Sequence, residues 1–306
     1  ELKRKQLNSF LSLKQFVKAS KVIFDDAASV RASLRKIGIV AIDPKKIEHL
    51  IGPKTRAIIV MDYFCNIANH REIDKIAKRY NLRVIHDAAH SFGSSYEGKK
   101  IGSFSDITMF SFDPVKTVTC IDGGAIIVND IKLLKKMHAK RLIGMTQPAA
   151  EMYKNARAWS YDVEELGFRY HMSNLHGAIG VSQIKKIGKI RGSRQSVCKK
   201  YYEKLSKIDW LNAPKGEFDN VNPFLYYIRV LNEKRDELRV HMKKKGVDTG
   251  IHWQAGHTFS FLKNCRKGDL KVTNKVVKQI ISIPLHSQMN NNDVERVIES
   301  IISFDG

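Results

Sequence analysis

Four side chains in the first half of this chain carry groups that could work together chemically. Asp87 ends the apolar run LRVIHD (82–87), and His90 follows three residues later. Ser111 and Lys116 lie in SFDPVKTVTCIDGG (111–124), a short polar run between two apolar, strand-like segments, DITMF (106–110) and GAIIVND (124–130). A lysine in such a run is either a solvated loop residue or a reactive amine held in a pocket. In a pocket that disfavours ammonium, an amine attacks carbonyl carbon and carries protons. Hydroxyls and backbone N–H groups bind phosphate.

The order of the elements places these groups. SVRASLRKIGI (29–39) reads as a helix ending at Gly38, and DPKKIEHLI (43–51) as a helix with Asp43 as N-cap and Pro44 in its first turn. TRAIIVMDY (55–63) is a β-rich apolar run. HREIDKIAKRYN (70–81) repeats apolar residues at 73, 76 and 80, the spacing of one helical face. With LRVIHD, DITMFSF (106–112) and GAIIVND as strands and IKLLKKMHAKRLIG (131–144) as a helix, the pattern predicts βαβ units and a parallel sheet. Ligands of such sheets bind beyond the carboxyl ends of the strands. Asp87, His90, Ser111 and Lys116 all follow strand ends.

The C-terminal part reads differently. YYEKLSKI (201–208), RDELRVHMKKKG (235–246) and NDVERVIESIISF (292–304) are helical, FLYYIRVL (224–231) is a strand, and a short strand is expected over 249–253. The expected organisation is a large domain over 1–192 and a smaller α+β domain over 193–306, divided in the basic stretch at Gly192–Ser193. A length of 306 residues with 43% apolar composition suits that division.

The net charge of +22 would suit a polyanionic or phosphate-rich partner. The lysines fall mainly at exposed helical spacing, however. The most basic stretch, QIKKIGKIRGSRQSVCKK (183–200), lacks the interleaved aromatics that favour single-strand binding. Nucleic acid is therefore not the expected partner. The four cysteines are widely spaced, which argues against a disulfide framework or a zinc site, and no metal site is expected. No apolar run approaches the ~20 residues of a membrane span, and ELKRKQLNSF lacks the apolar core of a secretory leader. A cytoplasmic protein is expected.

The run VIHDAAHSFGSSYEGKKIGSFSDITMFSFDPVKTVTCIDGGAIIVND (84–130) closely resembles the pyridoxal-phosphate-dependent sugar aminotransferases of the DegT/DnrJ/EryC1/StrS family. LGFRYHMSNLHGAIGVSQIKKI (166–187) and SIPLHSQMNNNDVERVI (282–298) resemble it too, and the match runs from about Ser29 to the end. The resemblance implies the PLP-transferase type I fold, a three-layer α/β/α unit with a mostly parallel sheet plus a smaller α+β C-terminal domain. It implies an amino group moved, with glutamate as donor, to a keto carbon of a nucleotide-linked deoxysugar for surface polysaccharide or glycan synthesis, in a homodimer with shared active sites.

By the same resemblance Lys116 matches the lysine that forms a Schiff base with pyridoxal phosphate and moves the proton. Asp87 matches the carboxylate at the pyridine nitrogen, His90 the contact to the ring oxygen, and Ser111 a phosphate ligand. Arg169 and His171 fall in the segment that reaches the partner's site, and His252 and Trp253 in the region facing the substrate. A related branch carries histidine at the lysine position and performs dehydration, and Lys116 stands against that branch.

Two departures touch the cofactor site. The family's phosphate-binding SGTAAL-like turn is here DDAASV (25–30). Ala27 and Ala28 match the cofactor-contacting positions, whereas Asp25 and Asp26 put carboxylates where phosphate would lie. In addition, Gly38–Ile39 passes almost directly to AIDPKKIEHL, where the family has further strands and a loop bearing an aromatic that stacks on the cofactor ring. These departures leave a second expectation open: a catalytically impaired homologue that acts as a regulatory or scaffolding partner.

Overall fold

The computed structural model describes residues 33–34, 40–145, 162–262 and 264–305. Short strands β1 (Ser33–Leu34) and β2 (Val40–Ala41) pair antiparallel at the front. The apolar runs that follow become β3 (Ala57–Met61), β4 (Arg83–Asp87), β7 (Ile107–Ser111) and β8 (Gly124–Val128). A small antiparallel pair, β5 (Ser95–Tyr96) and β6 (Lys99–Lys100), lies between β4 and β7. The main sheet has the order β3-β4-β7-β8, with the first two pairings parallel and β7–β8 antiparallel.

Helix α1 (His70–Arg79) starts where the Asn69 side chain accepts from the Glu72 N–H, and it places Ile73, Ile76 and Ala77 against Ile58, Val60 and Val84. Each such buried aliphatic contributes about 1.5–3 kcal/mol, so Ile73→Ala would loosen this layer first. Helix α2 (Ile131–Arg141), capped by Asp130, covers the opposite face through Met137 against Ile85, Met109 and Ile126. The result is the expected α/β/α layering around a mostly parallel sheet. Strand alternation follows from it. Val84 and His86 face the α1 layer, and Ile85 and Asp87 face the α2 side. The register Met61–Asp87–Met109 aligns the carboxyl ends of three strands.

The remaining elements are α3 (Asn174–Lys185), α4 (Ile187–Leu205), β9 (Leu211–Asn212), β10 (Tyr226–Val230), α5 (Arg235–Lys244), α6 (Lys271–Gln279), β11 (Ile280–Ile283) and α7 (Asn291–Ile302). An antiparallel sheet of order β11-β10-β9 is covered by α4, α5, α6 and α7. Its core holds Tyr201, Tyr226, Leu238, Ile281 and Ile298, all buried. Phe64 and Cys65, from the loop after β3, belong to the same core and join the two halves.

Several expectations change. Within 29–39 the described residues Ser33–Leu34 form a strand, not a helix. The segment 43–51 makes two 3₁₀ turns, 44–46 and 48–50. Asp43 caps the first by accepting from the Lys45 N–H, but so short a stretch does not propagate an α-helix. The strand expected over 249–253 is a single bridge from Gly250 to Ser282. Gly192 and Ser193 lie inside α4, so no loop separates the halves there. A mid-helix glycine costs about 1 kcal/mol. It is outweighed where Val197, Cys198, Tyr201 and Leu205 of the same helix enter the core. All four cysteines are free thiols. No helix among the described residues is long and apolar enough to cross a membrane.

Candidate active site

The loop between β7 and β8 is closed at its neck and carries Lys116 at its tip. The Phe112 N–H donates to the Gly123 carbonyl at 2.9 Å, and the Cys120 N–H donates to the Phe112 carbonyl at 3.0 Å. At the tip, Asp113 accepts from the Val115 N–H through its side chain and from the Lys116 N–H through its carbonyl. Gly123 sits at φ +146°, and a Cβ there would meet Met172 Sδ at 3.1 Å and Cys120 Sγ at 3.0 Å. The second residue of the pair, Gly124, opens β8.

Lys116 is half-buried, and its amine makes no ion pair among the described residues. Its Nζ lies 4.5 Å from the centroid of the Phe224 ring. Burial lowers its pKa below the ordinary lysine value. Asp87 and then Asp113 pull the other way without cancelling the effect. The Asp87 carboxylate is therefore near enough for its charge to act on the Lys116 amine. Asp87 Oδ1 also accepts from the Ala89 N–H at 3.2 Å, which fixes the turn after β4. Ser111 is half-buried at the end of β7, and its Oγ accepts from the Asp113 N–H at 3.4 Å.

His90 is buried inside an aromatic stack. Its ring lies 4.5 Å from Phe224 and 5.4 Å from Trp253, nearly parallel to both. Burial first, and the nearby Lys116 second, push its pKa down to about 3, so the imidazole is neutral at physiological pH. One ring nitrogen bonds the Asp62 backbone carbonyl, and Nδ1 is buried without a partner.

His252 is anchored from two sides. Its Nδ1 pairs with Ser282 Oγ at 2.9 Å, and its carbonyl accepts from the Tyr63 hydroxyl. Burial lowers its pKa as well. Trp253 is exposed on its outer side and closes the stack over His90 and Phe64.

The fold thus brings Asp87, His90, Ser111 and Lys116 to one sheet edge and lays His252 and Trp253 beside them. Arg169 and His171 lie exposed at the surface, outside this group. Ala27 and Ala28 lie outside the described residues, as does the rest of DDAASV. Sequence reasoning missed Phe64 and Phe224, which reach the site from segments far from it in the chain, so no local pattern marks them. It also missed Asp62, although an acid directly after the run TRAIIVM repeats the strand-end signal that marks Asp87.

The residues fit pyridoxal phosphate. A half-buried amine free of ion pairs feels the charge of a strand-end carboxylate, and the buried Nδ1 of His90 lacks a partner. The described residues also contain one buried grouping of metal-binding types, Asp62, His70 and His86.

Known proteins resemble this chain over most of its length. A UDP-4-amino-4,6-dideoxy-N-acetyl-beta-L-altrosamine transaminase of Campylobacter jejuni is 32% identical over 272 residues, covering 86% of this chain and 70% of the relative. Helicobacter pylori PseC, an aminotransferase involved in the biosynthesis of pseudoaminic acid, superposes with a TM-score of 0.79 at 24% identity, over 89% of this chain and 72% of its own. NtdA from Bacillus subtilis, solved with bound cofactor PMP, gives a TM-score of 0.74 at 26% identity, over 86% of this chain and 59% of its own. The model of the DegT/DnrJ/EryC1/StrS aminotransferase family matches residues 36–302, and the chain belongs to that family.

Proposed function

We propose that this chain is a pyridoxal-phosphate-dependent aminotransferase that moves an amino group, with glutamate as donor, onto a keto carbon of a nucleotide-linked deoxysugar. The observation that carries the reading is the Lys116 amine, lowered in pKa by burial and set against the Asp87 carboxylate. The family and the similarity to the altrosamine transaminase support the substrate class.

When bound, pyridoxal phosphate supplies an aldehyde that carries the amino group and a ring that accepts electrons. The chain's residues do the rest. Lys116, with part of its population neutral, attacks carbonyl carbon and shuttles a proton between carbons. Asp87 holds a proton on the ring nitrogen through its negative charge. His90, neutral and with Nδ1 unpaired, offers an acceptor to the ring hydroxyl. Ser111 donates to phosphate. Trp253 and His252 shield the outer side from water.

Leu166, Leu175 and Val181 are exposed large apolar residues around α3, and Val115 and Ile121 are exposed on the Lys116 loop. A second copy covering this face would complete a homodimer and bring Arg169 and His171 toward the neighbouring site.

The test is the visible absorbance gained when the purified protein takes up pyridoxal phosphate, together with amino transfer from glutamate to a UDP-linked 4-keto-6-deoxysugar. Lys116→Ala should remove both while the fold persists. A wild type that stays colourless with added cofactor would overturn the enzyme reading and favour a scaffolding partner.

A further inference from the structure

Asp62 follows β3 and is buried to 1% exposure. Its Oδ1 accepts from the Ala68 N–H at 3.0 Å and from His70 Nε2 at 3.1 Å. Its Oδ2 accepts from His86 Nε2 at 2.7 Å and from the Ser91 hydroxyl at 2.6 Å. Burial alone would raise the Asp62 pKa, but the two imidazoles outweigh it and hold the group well below the carboxylate range. An ionised carboxylate only accepts, so both imidazoles donate through Nε2.

Four donors fill the roughly four lone-pair directions of a carboxylate. Asp62, His70 and His86 could in principle hold a metal, since their ligand atoms lie within 4.8 Å of one another. Two observations point away from that. A backbone N–H and a hydroxyl already occupy the carboxylate beside the imidazoles. The outer nitrogens of both histidines also lack the acceptor that steadies a ligating imidazole. The cluster is a closed hydrogen-bond set.

The main chain of Asp62 extends this set. Its N–H donates to the Asp87 carbonyl at 3.3 Å, and its carbonyl takes the ring N–H of His90. Asp62 therefore bonds residues 86, 87, 90 and 91, on both sides of the pair assigned to the cofactor.

We propose that Asp62 is a positioning residue that clamps segment 86–91 from the end of the neighbouring strand β3, so that Asp87 and His90 are set before the cofactor arrives. This rests on the cofactor reading above. The main-chain bonds to Asp87 and His90 do not depend on the side chain, but the bonds to His86 and Ser91 suit a carboxylate. An amide of the same shape offers one acceptor oxygen and turns two N–H groups toward donors that already point inward.

The test compares wild type, Asp62→Asn and Leu238→Ala. Leu238 is buried in α5, in the other sheet's core, and serves as a control for general destabilisation. Amide hydrogen exchange at Ala88, Ala89 and Ser91 is read in the cofactor-free protein, and the pyridoxal phosphate dissociation constant by absorbance titration. Asp62→Asn should speed the exchange and weaken binding by about tenfold or more. Leu238→Ala should lower thermal stability yet leave both readings within about twofold of wild type. Ser91→Ala and His86→Leu, which each remove one bond, should give intermediate values and carry the comparison if Asp62→Asn does not fold.

Unchanged exchange at 88–91 in these variants, or equal effects from Leu238→Ala, overturns the proposal. So does a stoichiometric divalent metal found in the purified protein and lost with Asp62→Asn. If wild type takes up no cofactor, the cofactor reading fails, and the exchange comparison still decides whether Asp62 clamps the segment.

Discussion

The Lys116 amine sits 4.5 Å from the centre of the Phe224 ring, although the two residues come from different halves of the chain and from segments beside different sheets. Phe224 also stacks on His90, which in turn stacks on Trp253. The ring both excludes water from the amine and offers its negative face to the ammonium form. These effects oppose each other, and burial lowers the Lys116 pKa.

Phe224→Leu keeps the burial and removes the π face. A cation–π contact of about 0.5–1 kcal/mol corresponds to roughly half a pKa unit. The apparent pKa for uptake of pyridoxal phosphate by Lys116 should therefore fall by about that much, read from the pH dependence of the uptake rate. A rise would mean that the ring acts through water exclusion alone.

His90 makes stability depend on pH in a defined window. Its folded pKa is about 3, against about 6.5 in an unfolded chain. Between these values the unfolded chain binds the extra proton, so stability rises with pH from about 3 to about 6.5 and is level above. Denaturant unfolding of cofactor-free protein across this range should show a slope that His90→Gln reduces. The total effect is at most a few kcal/mol.

Arg194 holds the Phe224 segment in place. Its Nη1 donates to the carbonyls of Pro223, Phe224 and Leu285 at 3.3, 3.0 and 3.2 Å. Arg194→Met leaves these part-buried acceptors without their donor and should cost about 1–3 kcal/mol in denaturant unfolding. It should also weaken cofactor binding. Arg194→Lys should recover part of the loss, because an ammonium lacks the planar fork.

Asp87→Asn preserves the acceptor for the Ala89 N–H but removes the charge that acts on Lys116. Amino transfer should fall about 10²–10³-fold while thermal unfolding shifts little. A variant with near wild-type turnover would remove Asp87 from the site.

Much of the large sheet was legible from local pattern. Apolar runs bounded by caps and glycines became β3, β4, β7 and β8, and the residues closing them fell at the strand ends, where a parallel sheet exposes its ligand-binding edge. Asp43 caps where the sequence places it. The front of the chain was less legible. At 43–51 a helical cap signal produced only 3₁₀ turns, since so short a stretch does not propagate an α-helix. At Gly192–Ser193 a composition signal for a linker was overridden by the burial of one helix side.

The sequence alone determined which groups stand at the sheet edge, because period-two alternation and strand-end position are local properties of the chain. The tertiary structure alone decided what surrounds them. The Phe224 ring over Lys116, the Trp253 cover on His90 and the four donors converging on Asp62 bring together residues from distant segments. Such contacts are set by the packing of one layer on another, and nothing in the spacing of residues along the chain encodes them.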